Sequence, residues 1–130
     1  MSGWTRFLVD ARAIHSIYGA GDPPLTNVDL HELVLHRDGP KVVLRFDLAD
    51  FPLAPPAKWA AARYNRLQLR LAAIVSRVSI EGWGTRCRLD VAIERVDGVI
   101  RMQADNGTVK VAIEATALLL DAVSAYRDEG

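Results

Sequence analysis

Apolar residues recur at every second position over most of this chain, and at helical spacing only near its start. From Trp4 to Tyr18, the residues Phe7, Leu8, Ala11, Ile14 and Ile17 fall three and four apart, which predicts one amphipathic helix. Thr5 is placed to cap it, and Gly19 and Gly21 to stop it before the stiff Asp22-Pro23-Pro24 exit. The period then changes to two. Val28 to His36 reads as a strand whose phase slips between Leu30 and Leu33, so a bulge is expected near His31-Glu32. Asp38-Gly39 marks a hairpin, after which Val42, Leu44, Phe46 and Leu48 alternate with Val43, Arg45 and Asp47.

Pro52, Pro55 and Pro56 interrupt the pattern between Phe51 and Trp59 and predict an ordered loop pinned by Phe51, Leu53 and Trp59. A strand follows from about Arg66, with Leu67, Leu69 and Leu71 on one parity and Ile74, Val78 and Ile80 on the other. The Ala72-Ala73 pair marks a second bulge or a bend between them. Gly82-Trp83-Gly84 closes that strand. The next places Cys87, Leu89, Val91 and Ile93 inside and Arg86, Arg88, Asp90 and Glu94 outside. Turns at Asp97-Gly98 and Asp105-Asn106-Gly107 lead into Val99–Ala104 and Val109–Ile113. Residues 115–126 suit helix or strand, and the flanking alternation favours a last strand. Strands joined by tight turns without intervening helices predict a mainly β (α+β) fold. It would be an antiparallel meander or a two-layer sandwich of six to seven strands with one N-terminal helix. A wide ligand-holding barrel is the less favoured architecture.

The length of 130 residues suits a single domain spanning 1–130, large enough to need no disulfide or metal staple. Lys and Arg balance Asp and Glu at 16 each, so no overall field draws the chain toward nucleic acid or an anionic membrane. One cysteine and no uninterrupted apolar run give secretion or membrane insertion no support, and a cytoplasmic location is expected. Arg66, Arg70, Arg86 and Arg88 share the outward parity of their strands. They are expected to pair across strands with acids such as Asp90, Glu94 and Glu114 more readily than to form a basic binding stripe.

Candidate chemistry is thin. His15, His31 and His36 show no metal-ligand spacing. His31 and His36, with Asp29 or Glu32 added, can be drawn as a site only if a bulge between the two histidines restores one face, and no metal or other cofactor is expected. Cys87 lies on an apolar parity, which predicts an inert thiol. The Asp47/Asp50 pair sits where aspartates ordinarily serve turns and caps. No phosphate-binding loop or nucleophile elbow occurs, so no catalytic residues are assigned and the chain is read as a non-enzyme. The tryptophans are the better prospects. Trp59 after the proline loop and Trp83 between two glycines suit either interface anchors or a lid on the fold, and Arg86 and Arg88 follow Trp83 closely.

The order of landmarks adds a resemblance. Trp4, Ile17-Tyr18-Gly19, Pro24-Leu25 and Val28-Asp29-Leu30 come first, followed by the hairpin Arg37-Asp38-Gly39-Pro40 and the strand Val43-Leu44-Arg45-Phe46-Asp47-Leu48. Phe51-Pro52, Pro55-Pro56, Trp59, Leu67-Gln68-Leu69 and Val123-Ser124-Ala125-Tyr126-Arg127 complete the set. This pattern resembles the immunity protein 50 family of bacterial polymorphic-toxin systems. The resemblance implies a mostly β cytoplasmic protein that binds and neutralises a cognate toxin, and it also favours a strand at Leu118–Tyr126. It brings no active-site residues. Trp59, Trp83, Arg86 and Arg88 are the residues expected at a toxin interface. The alternative is a small-ligand carrier, which would need a deep apolar cavity.

Overall fold

The computed structural model describes residues 3–19 and 21–129. Six strands form: β1 Val28–His36, β2 Lys41–Asp47, β3 Arg66–Glu81, β4 Arg88–Val96, β5 Val99–Asp105 and β6 Lys110–Tyr126. The expected mainly β antiparallel sheet is present. It is one sheet and not two layers, and it closes on itself in the order β1-β2-β3-β6-β5-β4. The meander is therefore broken once, where β3 pairs along its whole length with β6.

The strand periodicity explains the core. Leu44 and Phe46 on β2, Leu67, Leu69 and Leu71 on β3, Leu89 on β4 and Ile113 and Leu118 on β6 all point inward and are essentially inaccessible to water. Burial of each such side chain contributes about 1.5–3 kcal/mol. Six strands make a narrower tube than the eight that just accommodate side chains, so these residues fill the interior. The filled core weighs against a ligand-holding cavity.

Residues 115–126 prolong β6 rather than form a helix, and the two short terminal strands read from the sequence are one. The bulge expected near His31-Glu32 occurs there: Leu30 faces Phe46 and Glu32 faces Arg45, leaving His31 as the extra residue. The change of parity expected at the Ala72-Ala73 pair of β3 falls later in the strand. Buried parity runs on through Ala73 and Val75; the register against β6 shifts between Arg70 and Leu71 and between Ile74 and Val75, and β3 itself carries an extra residue at Ser76, between the pairs Val75–Ala115 and Arg77–Glu114.

The single N-terminal helix is also corrected. A 3₁₀ turn at Trp4–Phe7 and helix α1 at Arg12–Tyr18 replace it. The helix breaks because Val9 N–H donates to Leu118 O at 2.9 Å and Leu8 bridges to Leu118, drawing the chain onto β6. Thr5 does not cap. Its hydroxyl donates to Asp22 Oδ1 at 2.6 Å, and its amide donates to Asp22 Oδ2 at 3.0 Å. The proline loop holds one further helix, α2 at Ala57–Ala61, starting directly after Pro56.

At the end of α1, the hydroxyl of Tyr18 is buried and has no hydrogen-bond partner among the described residues. Burial, with Asp50 nearby, pushes its pKa up to about 12. An unsatisfied hydroxyl costs free energy, so Tyr18→Phe is expected to raise stability by about 1 kcal/mol in urea denaturation. A destabilised variant would show that the hydroxyl has a partner after all.

Candidate functional site

The barrel is closed unevenly. β1 meets β4 only through Val28–Leu89 and Asp29–Arg88, followed by one bond from Leu30 N–H to Cys87 O at 2.9 Å. Beyond Leu30, the outer edge of β1 has no strand beside it among the described residues. β2 stops pairing with β3 at Lys41–Ile74, whereas β3 continues along β6 to Glu81–Lys110. The edges of β1 and distal β3, the 37–40 turn and residues 82–87 thus frame a window in the wall.

The window is apolar. Leu33 and Leu35 on β1 share the inward parity, as does Ile80 on β3, which faces Val111 across β6. At this end no opposite wall covers them. Leu35 is 59% exposed, Ile80 40% and Trp83 51%, and together with His31, Glu32 and Leu33 they line one open cleft. Large apolar side chains gathered at an unpaired strand edge are the usual mark of a surface that meets another chain. Sequence reasoning missed Leu35 and Ile80 because their alternation assigns them to the core.

Of the four residues singled out from the sequence, three lie on one segment. Trp83 is at the window, and exposed Arg86 and Arg88 follow it, with an Arg88 guanidinium N–H donating to Asn27 O at 3.4 Å. Trp59 is elsewhere. It sits on α2, half-buried against the core and tilted over Phe51 at 6.2 Å between ring centroids. α2 precedes β3 and Trp83 follows it, so the 16 residues of β3, roughly 50 Å of strand, separate the two. Trp4 donates its ring N–H to Pro23 O at 2.8 Å and packs on the core.

A polar network borders the window on the outer face. The register aligns Asp29, Asp47, Gln68 and Ser124 across β1, β2, β3 and β6. The bulge puts His31 and Glu32 on the same outward side, where an unbulged strand would alternate them. Asp47 is 4% exposed. Its Oδ1 accepts from Gln68 Nε2 at 2.9 Å, and its Oδ2 accepts from the Tyr126 hydroxyl and lies 3.1 Å from His31 Nε2. Arg45 links the network to Glu32 at 3.3 Å and to Gln68 Oε1 at 3.5 Å. Burial, then the Asp47 carboxylate, raises the Tyr126 pKa to about 12.

Other sequence candidates remain apart. His36 shares the outer face with His31 but sits five residues further along β1, against Lys41. His15 lies on α1 beside Thr5 and Asp22. Cys87 is buried, as its parity predicted, with its thiol on Gly84 O at 3.3 Å. Asp50 is exposed and does not join Asp47. The arginines pair in part with other acids than those anticipated: Arg66 with Asp128 at 3.6 Å, and Arg101 rather than a stripe residue with Glu114 at 4.0 Å.

Leu35, Ile80 and Trp83 thus share one gap in the wall, whereas the other exposed large apolar side chains, Val9, Leu53, Tyr64 and Leu119, lie outside it. The model of the family described as immunity protein 50 matches residues 10–126, and the chain belongs to that family. No curated protein and no solved structure shows a significant match. Membership suggests an immunity function and, in general, a protein partner.

Proposed function

We propose that this chain binds and neutralises a cognate toxin domain of a bacterial polymorphic-toxin system, acting without catalysis in the cytoplasm of the producing cell. The observation that carries the reading is the window: an unpaired β1 edge beside exposed Leu35, Ile80 and Trp83. An extended segment of the toxin adding to β1 would satisfy the free edge through main-chain bonds, with alternate side chains entering the cleft. Arg86 and Arg88 lie on the segment that follows Trp83 and supply positive charge for an acidic rim on the partner. A stable complex of this kind buries about 1,600 Å² in total, more than the window alone offers, so the outer face around it belongs to the same footprint.

The test is co-purification and calorimetry with the toxin domain encoded beside this chain. Trp83→Ala is expected to weaken the complex roughly 30-fold or more, as truncation of a central aromatic anchor does. Trp59→Ala, on α2 beyond the far end of β3, is expected to leave affinity within about threefold while lowering stability. Wild-type affinity in Trp83→Ala, together with loss of binding in Trp59→Ala, would move the interface to the opposite end of the barrel. Failure of the pair to associate at all would refute the toxin-binding reading.

A further inference from the structure

We propose that Asp29, His31 and Asp47 form a binding site for a divalent first-row transition metal such as zinc. The proposal stands on the barrel's geometry and is independent of the toxin reading. His31 Nε2 lies 3.1 Å from Asp47 Oδ2 and 3.7 Å from Asp29 Oδ2. All three donor atoms fall within 4.8 Å of one another. Ligands held roughly 2.0–2.2 Å from one zinc ion stand about 3–4 Å apart, so little movement would be needed to close on a cation.

The backbone builds this spacing. Asp29 and Asp47 are direct cross-strand partners on the outer face, which sets the two carboxylates side by side. Like charges in that position repel, and an unpaired neighbouring pair would be destabilising. The bulge then inserts His31 as an extra residue on that same face, bringing an imidazole against both carboxylates. A neutral imidazole and two carboxylates offer one nitrogen and two oxygens with a combined charge that a dication cancels, a mixed set suited to zinc or manganese.

The surroundings are those of a held ligand rather than a loose surface acid. Asp47 is buried, and its carboxylate is oriented from behind by Gln68 Nε2 on Oδ1 and the Tyr126 hydroxyl on Oδ2. Outer-shell hydrogen bonds of this kind fix ligating carboxylates and tune affinity. His31 and Asp29 remain about one-third exposed, at 33% and 35% of their side chains, so an ion has a path in and open coordination positions for water. The competing arrangement is a protonated His31 bridging two aspartates with no metal.

Calorimetry separates the two, using tag-free chain stripped with a chelator and titrated with zinc chloride, with cobalt absorption as a second readout. One ion per chain is expected. His31→Ala and Asp29→Asn, both at partly exposed positions, should each weaken binding at least tenfold while the circular dichroism spectrum stays that of the native barrel. Tyr126→Phe should weaken it by about tenfold through the orientation of Asp47. His36→Ala should leave it unchanged. No binding at millimolar zinc, or binding that survives both His31→Ala and Asp29→Asn, would overturn the proposal.

Discussion

Asp47→Ala is expected to lower the stability of the barrel by about 3 kcal/mol, with a fall in Tm of roughly 12 °C. Among the described residues, Asp47 and Thr5 are the buried polar or charged ones, and three side chains converge on the Asp47 carboxylate: His31, Gln68 and Tyr126. Hydrogen bonds to a charged acceptor are worth about 1.5–3 kcal/mol each, but His31 is partly exposed and regains water, so the losses do not simply add. The proton on Tyr126 gives an independent readout. Its pKa lies near 12 because of burial first and Asp47 second, above the ordinary ~10. A folded-state pKa raised in this way contributes stability that is complete below pH ~10 and is lost as pH climbs toward about 12. Without Asp47, Tyr126 should ionise earlier, and the alkaline loss of stability should shrink. A variant with wild-type Tm and an unmoved tyrosine titration would show that Asp47 is not the hub of this network.

Much of the barrel was legible because alternation reports burial directly. Leu67, Leu69 and Leu71, or Cys87 and Leu89, could hardly be inward in any other arrangement. The His31 bulge was legible for the same reason, since Leu30 and Leu33 cannot both face the core of a regular strand. Closure was not legible. Nothing in a period of two says that β3 should pair with β6, which is a contact between residues far apart in sequence. The single helix expected over Trp4–Tyr18 failed for a related cause: Leu8 obeys helical spacing, but it and Val9 are held by Leu118, more than a hundred residues away.

The candidate site was legible only in part, and for a physical reason. Trp83, Arg86 and Arg88 stand out as unusual residues at a turn, and the fold leaves them exposed at the window's edge. Leu35 and Ile80 carry no such signal, since their sequence pattern is that of any buried leucine or isoleucine. Their exposure comes from β2 ending early and β4 pairing with only two residues of β1. The Asp29–His31–Asp47 cluster likewise needs the register of β1 against β2. From the sequence, Asp47 looked like a strand-end turn residue, and only the Tyr126 and Gln68 partners reveal it as a buried acceptor.

The uneven closure makes a second strong forecast, in which two large apolar residues of the same inward parity behave oppositely. Phe46→Ala should cost about 3–5 kcal/mol in urea denaturation, the usual penalty for emptying an aromatic site in a packed core. Phe46 is 1% exposed and sits where β1, β2 and β3 lie side by side, opposite Leu30 and Leu69, so the wall there cannot collapse into the void. Against a total stability of about 5–15 kcal/mol, such a loss leaves the variant near its folding limit. Leu35→Ala, at the window on β1, should cost no more than about 0.5 kcal/mol, because its side chain already meets water. If Leu35 contacts the proposed toxin partner, that same silent substitution should weaken the proposed complex, which would separate a binding role from any role in folding. Equal destabilisation by the two substitutions would mean that the window is shut in solution and that Leu35 belongs to the core. The binding surface would then have to be sought on the outer wall, where Arg86 and Arg88 stand exposed.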